Sequence, residues 1–312
     1  MPVNLIPYNA AYDEAIHQLE EFIVQGKGVQ LTIMKGHFLD RSKVFKNFYA
    51  CLGINNSGEP IATSIAAQTS IIINREQFDA GFAYDVKVHP DYRNRGLGRM
   101  MAKFLYKQFF RVKGLKRNFT TLKLSNVPVI RLASKAVSNI WLYHFVYLTI
   151  PCTARIKEPL MKSVDKQLFN VTLFDEQGLD ASYYTSFSNA LGYFHTYQMY
   201  RLKIHKIGFL ISQGIRFMKK FRPRLKDYLP RENDILECVT LYNHNERNIC
   251  HINELLEQLE KDGKAYLLVS CRRNDCIYNL LKKQSINTYG YYILSDFPLR
   301  ERDELTIDVR CL

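Results

Sequence analysis

The sequence has no long hydrophobic run. The longest apolar stretch extends from Ile140 to Cys152 and is interrupted by His144. Because a helix needs about 20 apolar residues to cross a bilayer, this pattern excludes a membrane-spanning helix. The N-terminus also lacks a basic start followed by an apolar core, and the acidic Asp13 and Glu14 come early, so no secretory signal is predicted. We therefore expect a cytoplasmic protein.

The seven cysteines form no motif. Their number is odd, no C-x-x-C pair is present, and no Cys/His spacing of the zinc type occurs. The closest pair, Cys271 and Cys276, falls at the end of a predicted strand and the start of a predicted helix. The pattern predicts reduced thiols and no metal site.

The composition does not deviate from that of globular proteins. With 47% hydrophobic and 23% charged residues, the chain is not disordered, collagen-like or of low complexity. A length of 312 residues favours two domains of about 150 residues each. The formal net charge of +13 predicts attraction to acidic partners, which include nucleic acid, anionic lipid and a polyphosphate cofactor. Charge alone leaves these three open.

Residues 1–155 form the first predicted domain, in which helices and strands alternate. An amphipathic helix is followed by a hairpin, and apolar residues at helical spacing predict a further helix that begins at two glycines. The predicted elements are a helix at Tyr12–Val24, strands at Asn47–Ile54, Ile61–Asn74 and Phe82–Val88, a helix from Leu97, a strand at Phe119–Leu124, a helix at Asn126–Val137 and a strand at Ile140–Ile150.

Residues 156–312 form the second predicted domain, in which the order of elements at residues 82–150 returns. Its loop Asn243–Asn248 carries side chains, among them the acidic Glu246, where the first domain has glycines. The second domain is therefore predicted to be a degenerate copy that has lost the ligand of the first. Its predicted elements are strands at Ile235–Tyr242, Ala265–Cys271 and Thr288–Leu294 and helices at His251–Asp262 and Asp275–Lys283.

A basic segment precedes this copy. Between Arg201 and Lys226 there are nine Lys or Arg residues and no acidic residue, interleaved with apolar side chains. The segment is either a solvated helix that packs its apolar side on the second domain, or a contact for nucleic acid or anionic membrane.

The strongest motif extends from Val86 to Gly98, where a strand, a proline, a basic loop with two glycines and an amphipathic helix follow one another. A helix start exposes unpaired N–H groups and a positive dipole end, and glycines let an anion approach these donors. Arg93, Arg95 and Arg99 suit a ligand with more than one phosphate. The loop lacks the pattern G-x-x-x-x-G-K-[ST], and Met101 replaces the third glycine of G-x-G-x-x-G. Nucleotide hydrolysis and Rossmann-type binding therefore fit poorly.

Five positions of this motif, Val88, Pro90, Arg93, Gly96 and Gly98, match V-x-P-x-x-R-x-x-G-x-G/A. In this the sequence resembles the GNAT superfamily of N-acetyltransferases. The resemblance implies an α/β (α+β) fold, with a mixed, mainly antiparallel sheet flanked by helices, and acetyl-CoA as co-substrate. It also implies that loop amides hold the pyrophosphate and that backbone groups of the preceding strand pair with the pantetheine arm. The cofactor-binding residues implied are Val86, Val88, Arg93, Asn94, Arg95, Gly96, Leu97, Gly98, Arg99 and Asn126.

The two-domain layout is also similar to that of plant hookless-type proteins, in which an N-acetyltransferase domain precedes a basic segment and a degenerate C-terminal half. The sequence departs from the superfamily at a tyrosine that often acts as general acid. Asn126 and Leu132 fit the pattern N-x-x-A-x-x-L-Y, but Ala133 stands at the tyrosine position. Tyr143 and Tyr147 on the next strand either substitute for it or belong to the core.

Acetyl transfer to an amine needs a group that takes a proton from the ammonium. The candidates are Asp85 as base, Tyr84 beside it, and Tyr143 on the later strand. Asp85 and Lys87 share one face of a strand with period two, so an ion pair between them is the alternative. His89 precedes the loop and is expected to be an exposed neighbour of the cofactor.

These residues favour an acyl-CoA-dependent N-acyltransferase, in which a bound primary amine attacks the thioester of acetyl-CoA directly. A backbone N–H of Val86 or Val88 would polarise the carbonyl. The alternative is a catalytically impaired CoA-binding protein that the basic segment tethers to nucleic acid or anionic membrane. The aromatic residues between Tyr183 and Tyr200 either line an acceptor cleft between the domains or form a buried interface.

Overall fold

The computed structural model describes residues 3–22, 29–136, 139–156, 167–187, 191–209, 212–214, 217, 231–245 and 247–312. The elements of the first half are β1 (Asn4–Pro7), α1 (Asp13–Glu21), β2 (Val29–Met34), β3 (Phe48–Ile54), β4 (Pro60–Ile73), β5 (Glu76–Val88), α2 (Leu97–Leu105), β6 (Asn118–Lys123), α3 (Val127–Ala136) and β7 (Trp141–Pro151). Most predicted elements lie close to their predicted bounds, but β5 begins at Glu76 instead of Phe82, and β1 and β2 are not predicted by the sequence pattern.

The elements of the second half are β8 (Phe169–Thr172), β9 (Tyr184–Ser186), β10 (Gly192–Phe194), α4 (Thr196–Met199), β11 (Arg201–Ile207), β12 (Ile235–Leu236), β13 (Cys238–Tyr242), α5 (Ile252–Lys261), β14 (Tyr266–Cys271), α6 (Cys276–Leu281), β15 (Asn287–Ser295) and β16 (Leu305–Asp308). They include the predicted elements, except that the strand predicted at Ile235–Tyr242 is divided into β12 and β13, which lie in different sheets. The second half also contains several short strands that the sequence pattern does not reveal. No helix among the described residues is long and apolar enough to cross a bilayer.

One large sheet runs through both halves, with the strand order β1-β3-β4-β5-β6-β15-β7-β14-β13-β10-β9. One strand of each half lies between strands of the other half, because β15 separates β6 from β7 and β7 separates β15 from β14. The predicted boundary near residue 155 therefore divides a shared sheet. Most neighbouring strands are antiparallel and helices flank the sheet, which confirms the predicted fold class.

The two halves repeat one unit of structure. β5 pairs in parallel with β6, and β13 pairs in parallel with β14. In each half a helix joins these two strands and a second helix leads to the exchanged strand, which is β7 or β15. The order strand, helix, strand, helix, strand predicted for both halves is thus observed.

Helix α2 packs on the sheet through its apolar stripe. Leu97, Met101 and Leu105 are spaced four residues apart and are buried beneath β3 and β4. A single wide turn at residues 106–110 follows the helix and places Phe109 and Phe110 in the same core. This core holds α2, and with it the start of the helix, in a fixed position against β5.

The basic segment begins as a strand. Residues 201–207 form β11, which pairs with β2 and β12 in a small three-stranded sheet. Ile204 and Ile207 are buried there, at a spacing of three residues that also suits a helix. The interpretation of these residues as part of a helix on the second domain is therefore wrong, because β2 belongs to the first half. Residues 210–211, 215–216 and 218–226 lie outside the described part of the chain.

Candidate functional site

Strand β5 contains a bulge at Asp85. Tyr84 lies opposite Ile65 of β4, and Lys87 lies opposite Thr63, so two residues of β5 share the single position of Ser64. Asp85 adopts the left-handed conformation, with φ of 49°. A bulge of this kind turns the strand and reorients the backbone groups beside it.

β5 separates from β6 after Phe82, ahead of the bulge. The parallel pairing of the two strands consists of Gly81 with Asn118 and Phe82 with Phe119. Residues 83–88 of β5 therefore border a groove between the two strands. The amide of His89 donates to Ile61 of β4 at 2.8 Å, so by the alternation of a strand the backbone groups of Val86 and Val88 point to the groove.

Val86 and Val88 offer different groups to this groove. The Nε of Arg93 donates to the carbonyl oxygen of Val88 at 3.1 Å, so that oxygen already has a partner. The side chain of Val86 is 41% exposed. The two residues predicted to pair with a pantetheine arm thus lie on the open edge of β5, with the N–H of Val88 and both backbone groups of Val86 directed there.

The loop of residues 93–99, named here the Arg-Gly loop, joins β5 to α2. Asn94 and Gly96 both have left-handed backbone, with φ of 62° and 78°. The first bond of the helix runs from the amide of Met100 to the carbonyl of Gly96, at 3.1 Å. The amides of Asn94, Arg95 and Gly96 donate no hydrogen bond to other described residues. Successive free amides at a helix start form a concave site for an anion.

The two glycines of this loop serve different purposes. A Cβ added at Gly96 would meet nothing within 4 Å, so this glycine supplies the left-handed turn and leaves the loop open. A Cβ at Gly98 would lie 2.5 Å from Cδ1 of Leu132 in α3. Gly98 therefore allows α2 and α3 to pack closely, a role that the motif does not reveal.

Charged and polar groups surround the loop. Arg93, Arg95 and Arg99 are exposed, and the guanidinium of Arg95 lies 5.4 Å from the ring centre of Tyr92. Leu97 is buried and can offer only its backbone. Asn126 is exposed before α3, where its carbonyl accepts the amide of Val129 at 3.1 Å. The exposed cationic groups and the free amides suit a ligand with several phosphates.

Asp85 belongs to a chain of five buried charged side chains, Glu20, Lys35, Arg41, Asp85 and Lys87, named here the buried ion chain. Its carboxylate contacts the Nζ of Lys35 and lies 3.5 Å from Nη1 of Arg41. Lys35 lies 3.5 Å from Glu20, which contacts Lys87. Asp85 is therefore ion-paired, as the alternative expected, but its direct partners are Lys35 and Arg41, and Lys87 acts on it from the same network.

These neighbours keep Asp85 ionised. Burial favours the neutral acid, but the positive charges of Lys35, Lys87 and Arg41 outweigh it and hold the pKa of Asp85 well below its usual range. Burial is the main reason why the pKa of Lys87 is lowered. A carboxylate of very low pKa binds a proton weakly, so Asp85 is poorly suited to act as a base. The geometry instead suits a group that anchors the bulge.

The hydroxyls of the two candidate tyrosines have partners in the protein. Tyr84 donates to Oγ of Ser42 at 2.9 Å. The hydroxyl of Tyr143 lies 3.0 Å from the carbonyl of Leu168 and 3.2 Å from that of Asp303. Burial raises the pKa of both tyrosines. These contacts fit core residues and argue against a role as general acid.

A second group of residues near Asp85 comes from distant parts of the chain. The guanidinium of Arg41 lies 4.9 Å from the ring centre of Tyr84 and 5.7 Å from that of Tyr200. The rings of Tyr147 and Tyr291 lie 5.1 Å apart, edge to face. Lys35, Arg41 and Tyr291 belong to no local motif, so the sequence offers no signal for them.

The aromatic residues between Tyr183 and Tyr200 are partly buried, as the interface alternative expects. Tyr193 and Phe194 are buried, and Phe194 stacks on Tyr183 at 6.3 Å. Tyr200 is half-buried beside Arg41, with the guanidinium 5.7 Å from its ring centre.

The second half has closed the equivalent groove. His244 is buried after β13, and its Nε2 lies 3.0 Å from the carbonyl of Ser270 in β14. Side chains also occupy the loop amides, since Asn245 accepts from the amide of Arg247 and Asn248 accepts from the amide of Asn245, both at 2.8 Å. These contacts give a physical reason for the predicted loss of a ligand.

All seven cysteines, each within the described residues, are free thiols. Among the described residues, no three His, Cys, Asp or Glu side chains are grouped so as to hold a metal ion.

Comparison with known proteins agrees with this geometry. Residues 18–137 match the acetyltransferase (GNAT) family. The sequence matches no curated protein. N-myristoyltransferase from Saccharomyces cerevisiae, solved with bound myristoyl-CoA, is similar over 96% of this chain and 85% of that chain, with 7% identity and a TM-score of 0.55. Ribosomal-protein-S18-alanine N-acetyltransferase from Escherichia coli matches 46% of this chain and 81% of that chain, with 15% identity and a TM-score of 0.35.

The similarity to N-myristoyltransferase extends over both halves and concerns the fold alone. The family match contains α2, the Arg-Gly loop and the bulged strand β5, and it confirms the resemblance seen in the motif. The chain is therefore similar to the acetyltransferase (GNAT) family over residues 18–137.

Proposed function

We propose that this protein is an N-acyltransferase that moves an acetyl group from acetyl-CoA to a primary amine by direct attack. One observation carries the proposal: the bulged strand β5 separates from β6 next to a helix start whose amides are free. A strand edge and an anion site in this arrangement suit a ligand that has an amide-containing arm and a pyrophosphate.

The Arg-Gly loop supports the binding of CoA phosphates. The amides of Asn94, Arg95 and Gly96 donate to phosphate oxygens, and the positive end of the α2 dipole adds to the attraction. The exposed guanidiniums of Arg95 and Arg99 can reach the same anion from the surface. The pantetheine arm then follows the edge of β5, where the N–H of Val88 and the backbone groups of Val86 are open.

The chemistry needs few protein groups. The neutral amine nitrogen attacks the thioester carbonyl carbon, the N–C bond forms, and the C–S bond breaks. CoA leaves as the thiolate and takes up the proton that the nitrogen releases, through water. A backbone N–H of Val86 or Val88 stabilises the oxyanion. One such donor lowers the activation free energy by about 3 kcal/mol. No covalent enzyme intermediate is needed.

Packing beside the groove supports acetyl as the acyl group. The groove closes where Phe82 pairs with Phe119, and the rings of these residues lie 5.3 Å apart. The ring of Phe82 also stacks on Tyr84 at 5.1 Å. A long acyl chain would have to displace this buried aromatic stack, whereas an acetyl group would not.

One observation favours the alternative of a CoA-binding protein with impaired turnover, since Ala133 stands where many members carry a tyrosine. Acetyl-CoA binding is common to both functions. Release of CoA in the presence of an amine distinguishes them.

The proposal is tested by calorimetric titration of acetyl-CoA into the wild-type protein, Gly96→Glu and the control Gly263→Glu. Both glycines have positive φ, 78° and 70°, and open space at the Cβ position, so the two variants carry similar strain. We expect binding by the wild type and the control, and loss of binding by Gly96→Glu, whose carboxylate enters the anion site. Absence of wild-type binding, or unchanged binding by Gly96→Glu, would refute the proposal. Myristoyl-CoA should bind more weakly than acetyl-CoA.

A further inference from the structure

One continuous part of the chain carries positive charge only. Residues 92–135 contain 12 of the 43 Lys and Arg residues and none of the 30 Asp and Glu residues. Ten of these 12 cations, all except Arg117 and Lys123, are exposed. None of the ten forms an ion pair with another described residue. Their charge therefore faces solvent and attracts an anionic partner.

Four of these cations form a row along α2 and the wide turn that continues it. Arg99, Lys103, Lys107 and Arg111 are spaced four residues apart and are exposed, whereas the apolar stripe of α2 is buried against the sheet. We name these four residues the cationic stripe. Since each residue of a helix rises about 1.5 Å, the stripe is about 18 Å long, with a cation about every 6 Å.

The wide turn keeps the cationic stripe in line. In a regular helix, residues four apart rotate by about 40° around the axis, so a row of four cations would wind round the helix. In the wide turn the amide of Arg111 donates to the carbonyl of Tyr106, five residues back, at 2.9 Å. Such a turn holds more residues than a regular one and takes back part of this rotation. Turns of this kind are rare and frequently occur at functional sites.

An aromatic ring lies within the cationic stripe. Tyr106 begins the wide turn, between Lys103 and Lys107 in the sequence, and is 50% exposed. Surfaces that bind single-stranded nucleic acid combine a row of cations for the phosphates with exposed rings on which bases stack. A membrane fits less well, because a helix at a lipid interface inserts its apolar face, and that face of α2 already packs on the sheet.

We propose that the cationic stripe and Tyr106 bind single-stranded nucleic acid, through successive phosphates and one stacked base. A stacked strand rises about 3.4 Å per phosphate, so about five phosphates lie along the stripe and each of the four cations has one within reach. This interaction goes beyond acyl transfer. Of the four cations, only Arg99 also belongs to the proposed phosphate site of CoA.

The test measures the fluorescence anisotropy of labelled oligo(U) and oligo(dT) mixed with the wild-type protein. Four phosphate contacts to a single strand predict that binding weakens about 50-fold between 50 and 200 mM salt. Binding of both oligonucleotides is expected, since the stripe contacts the phosphate backbone that RNA and DNA share. Binding of only one would support the site and identify that nucleic acid as its ligand.

Two variants assign the binding to this surface. The triple variant Lys103→Gln, Lys107→Gln and Arg111→Gln should weaken binding tenfold or more at 50 mM salt. It should also reduce the slope of log Kd against log salt by about 2, because three phosphate contacts are lost. Tyr106→Leu should weaken binding about tenfold and leave the slope unchanged, because it removes a stacking ring and no charge.

The matched control removes the same charge elsewhere, through Lys261→Gln, Lys283→Gln and Arg302→Gln. These residues are exposed in the second half and form no ion pair with a described residue. The control should keep the wild-type slope. Urea unfolding of every variant verifies that the substitutions leave the fold intact.

Absence of oligonucleotide binding by the wild type at 50 mM salt would overturn the inference. Equal losses in the triple variant and the control would also overturn it, since attraction would then follow net charge alone. Unchanged binding by Tyr106→Leu would exclude the stacked base. Vesicles of phosphatidylcholine and phosphatidylserine are the second probe, and stripe-dependent binding to them without oligonucleotide binding would assign the surface to a membrane instead. The titration with acetyl-CoA tests the proposed function independently of these results.

Discussion

Replacing Asp85 by Asn is expected to destabilise the protein strongly, because it removes one carboxylate from the buried ion chain. The side chain of Asp85 is only 5% exposed, and Asn tolerates the left-handed backbone of the bulge, so the change removes charge with little effect on shape. Breaking a buried ion pair from one side costs about 3–5 kcal/mol. Lys35 keeps Glu20 as a second partner at 3.5 Å, so we expect the lower end, about 3 kcal/mol.

The assay is urea unfolding of the wild type, Asp85→Asn, Lys35→Met and the double variant at pH 7. Circular dichroism and the fluorescence of Trp141 are followed together, since coincident transitions justify a two-state free energy. The double variant has neither charge, so its loss should be smaller than the sum of the single losses by about 1–3 kcal/mol.

The same interaction predicts a dependence on pH. The pKa of Asp85 in the folded protein lies well below that in the unfolded chain, which is about 4. The stabilisation by Asp85 is therefore fully present above that value and is lost as pH falls towards the folded pKa. The difference in unfolding free energy between the wild type and Asp85→Asn should accordingly shrink below pH of about 4. A loss below about 1 kcal/mol at pH 7, or strict additivity with Lys35→Met, would refute the reasoning.

Two further predictions follow from packing. Gly98→Ala places a Cβ 2.5 Å from Cδ1 of Leu132 and should lower the free energy of unfolding, measured in urea, by about 1–3 kcal/mol. If this clash is the cause, the double variant with Leu132→Ala should regain part of the lost free energy. An equal loss of free energy in the double variant would exclude the clash. Phe119→Ala removes a ring that lies 5.3 Å from that of Phe82. The ratio of kcat/KM for hexanoyl-CoA to kcat/KM for acetyl-CoA should rise about tenfold in this variant. If circular dichroism shows a folded variant and the ratio is unchanged, this stack does not limit acyl length.

Part of the site depends on residues that are neighbours in the sequence, and this part could be predicted. The Arg-Gly loop contains its own proline, glycines and arginines, and the apolar spacing behind it sets the start of α2. The residues proposed to form the phosphate site are therefore close together in any chain that makes this strand, turn and helix. The separate purpose of Gly98 could not be predicted, because it depends on Leu132, 34 positions away, in a different helix.

The long strands and helices were predictable for a similar reason. Their periodicity reflects burial on one side, which several consecutive turns or pleats repeat. Short strands such as β8, β9 and β10 have three or four residues, too few to show a period. The sequence pattern does not identify strand β11, because the spacing of its basic and apolar residues suits either a helix or a strand, and only pairing with β2 decides between them.

The sequence by itself determined the resemblance to the GNAT family, the Arg-Gly loop and the order of elements in each half, since each depends on local spacing. The tertiary structure alone decided that β15 lies between β6 and β7, that Asp85 pairs with Lys35 and Arg41, and that Tyr200 lies beside Arg41. The physical reason is the same in each case. A bulge of one residue changes which side chains meet, and the partners come from segments that meet only when both halves share one sheet.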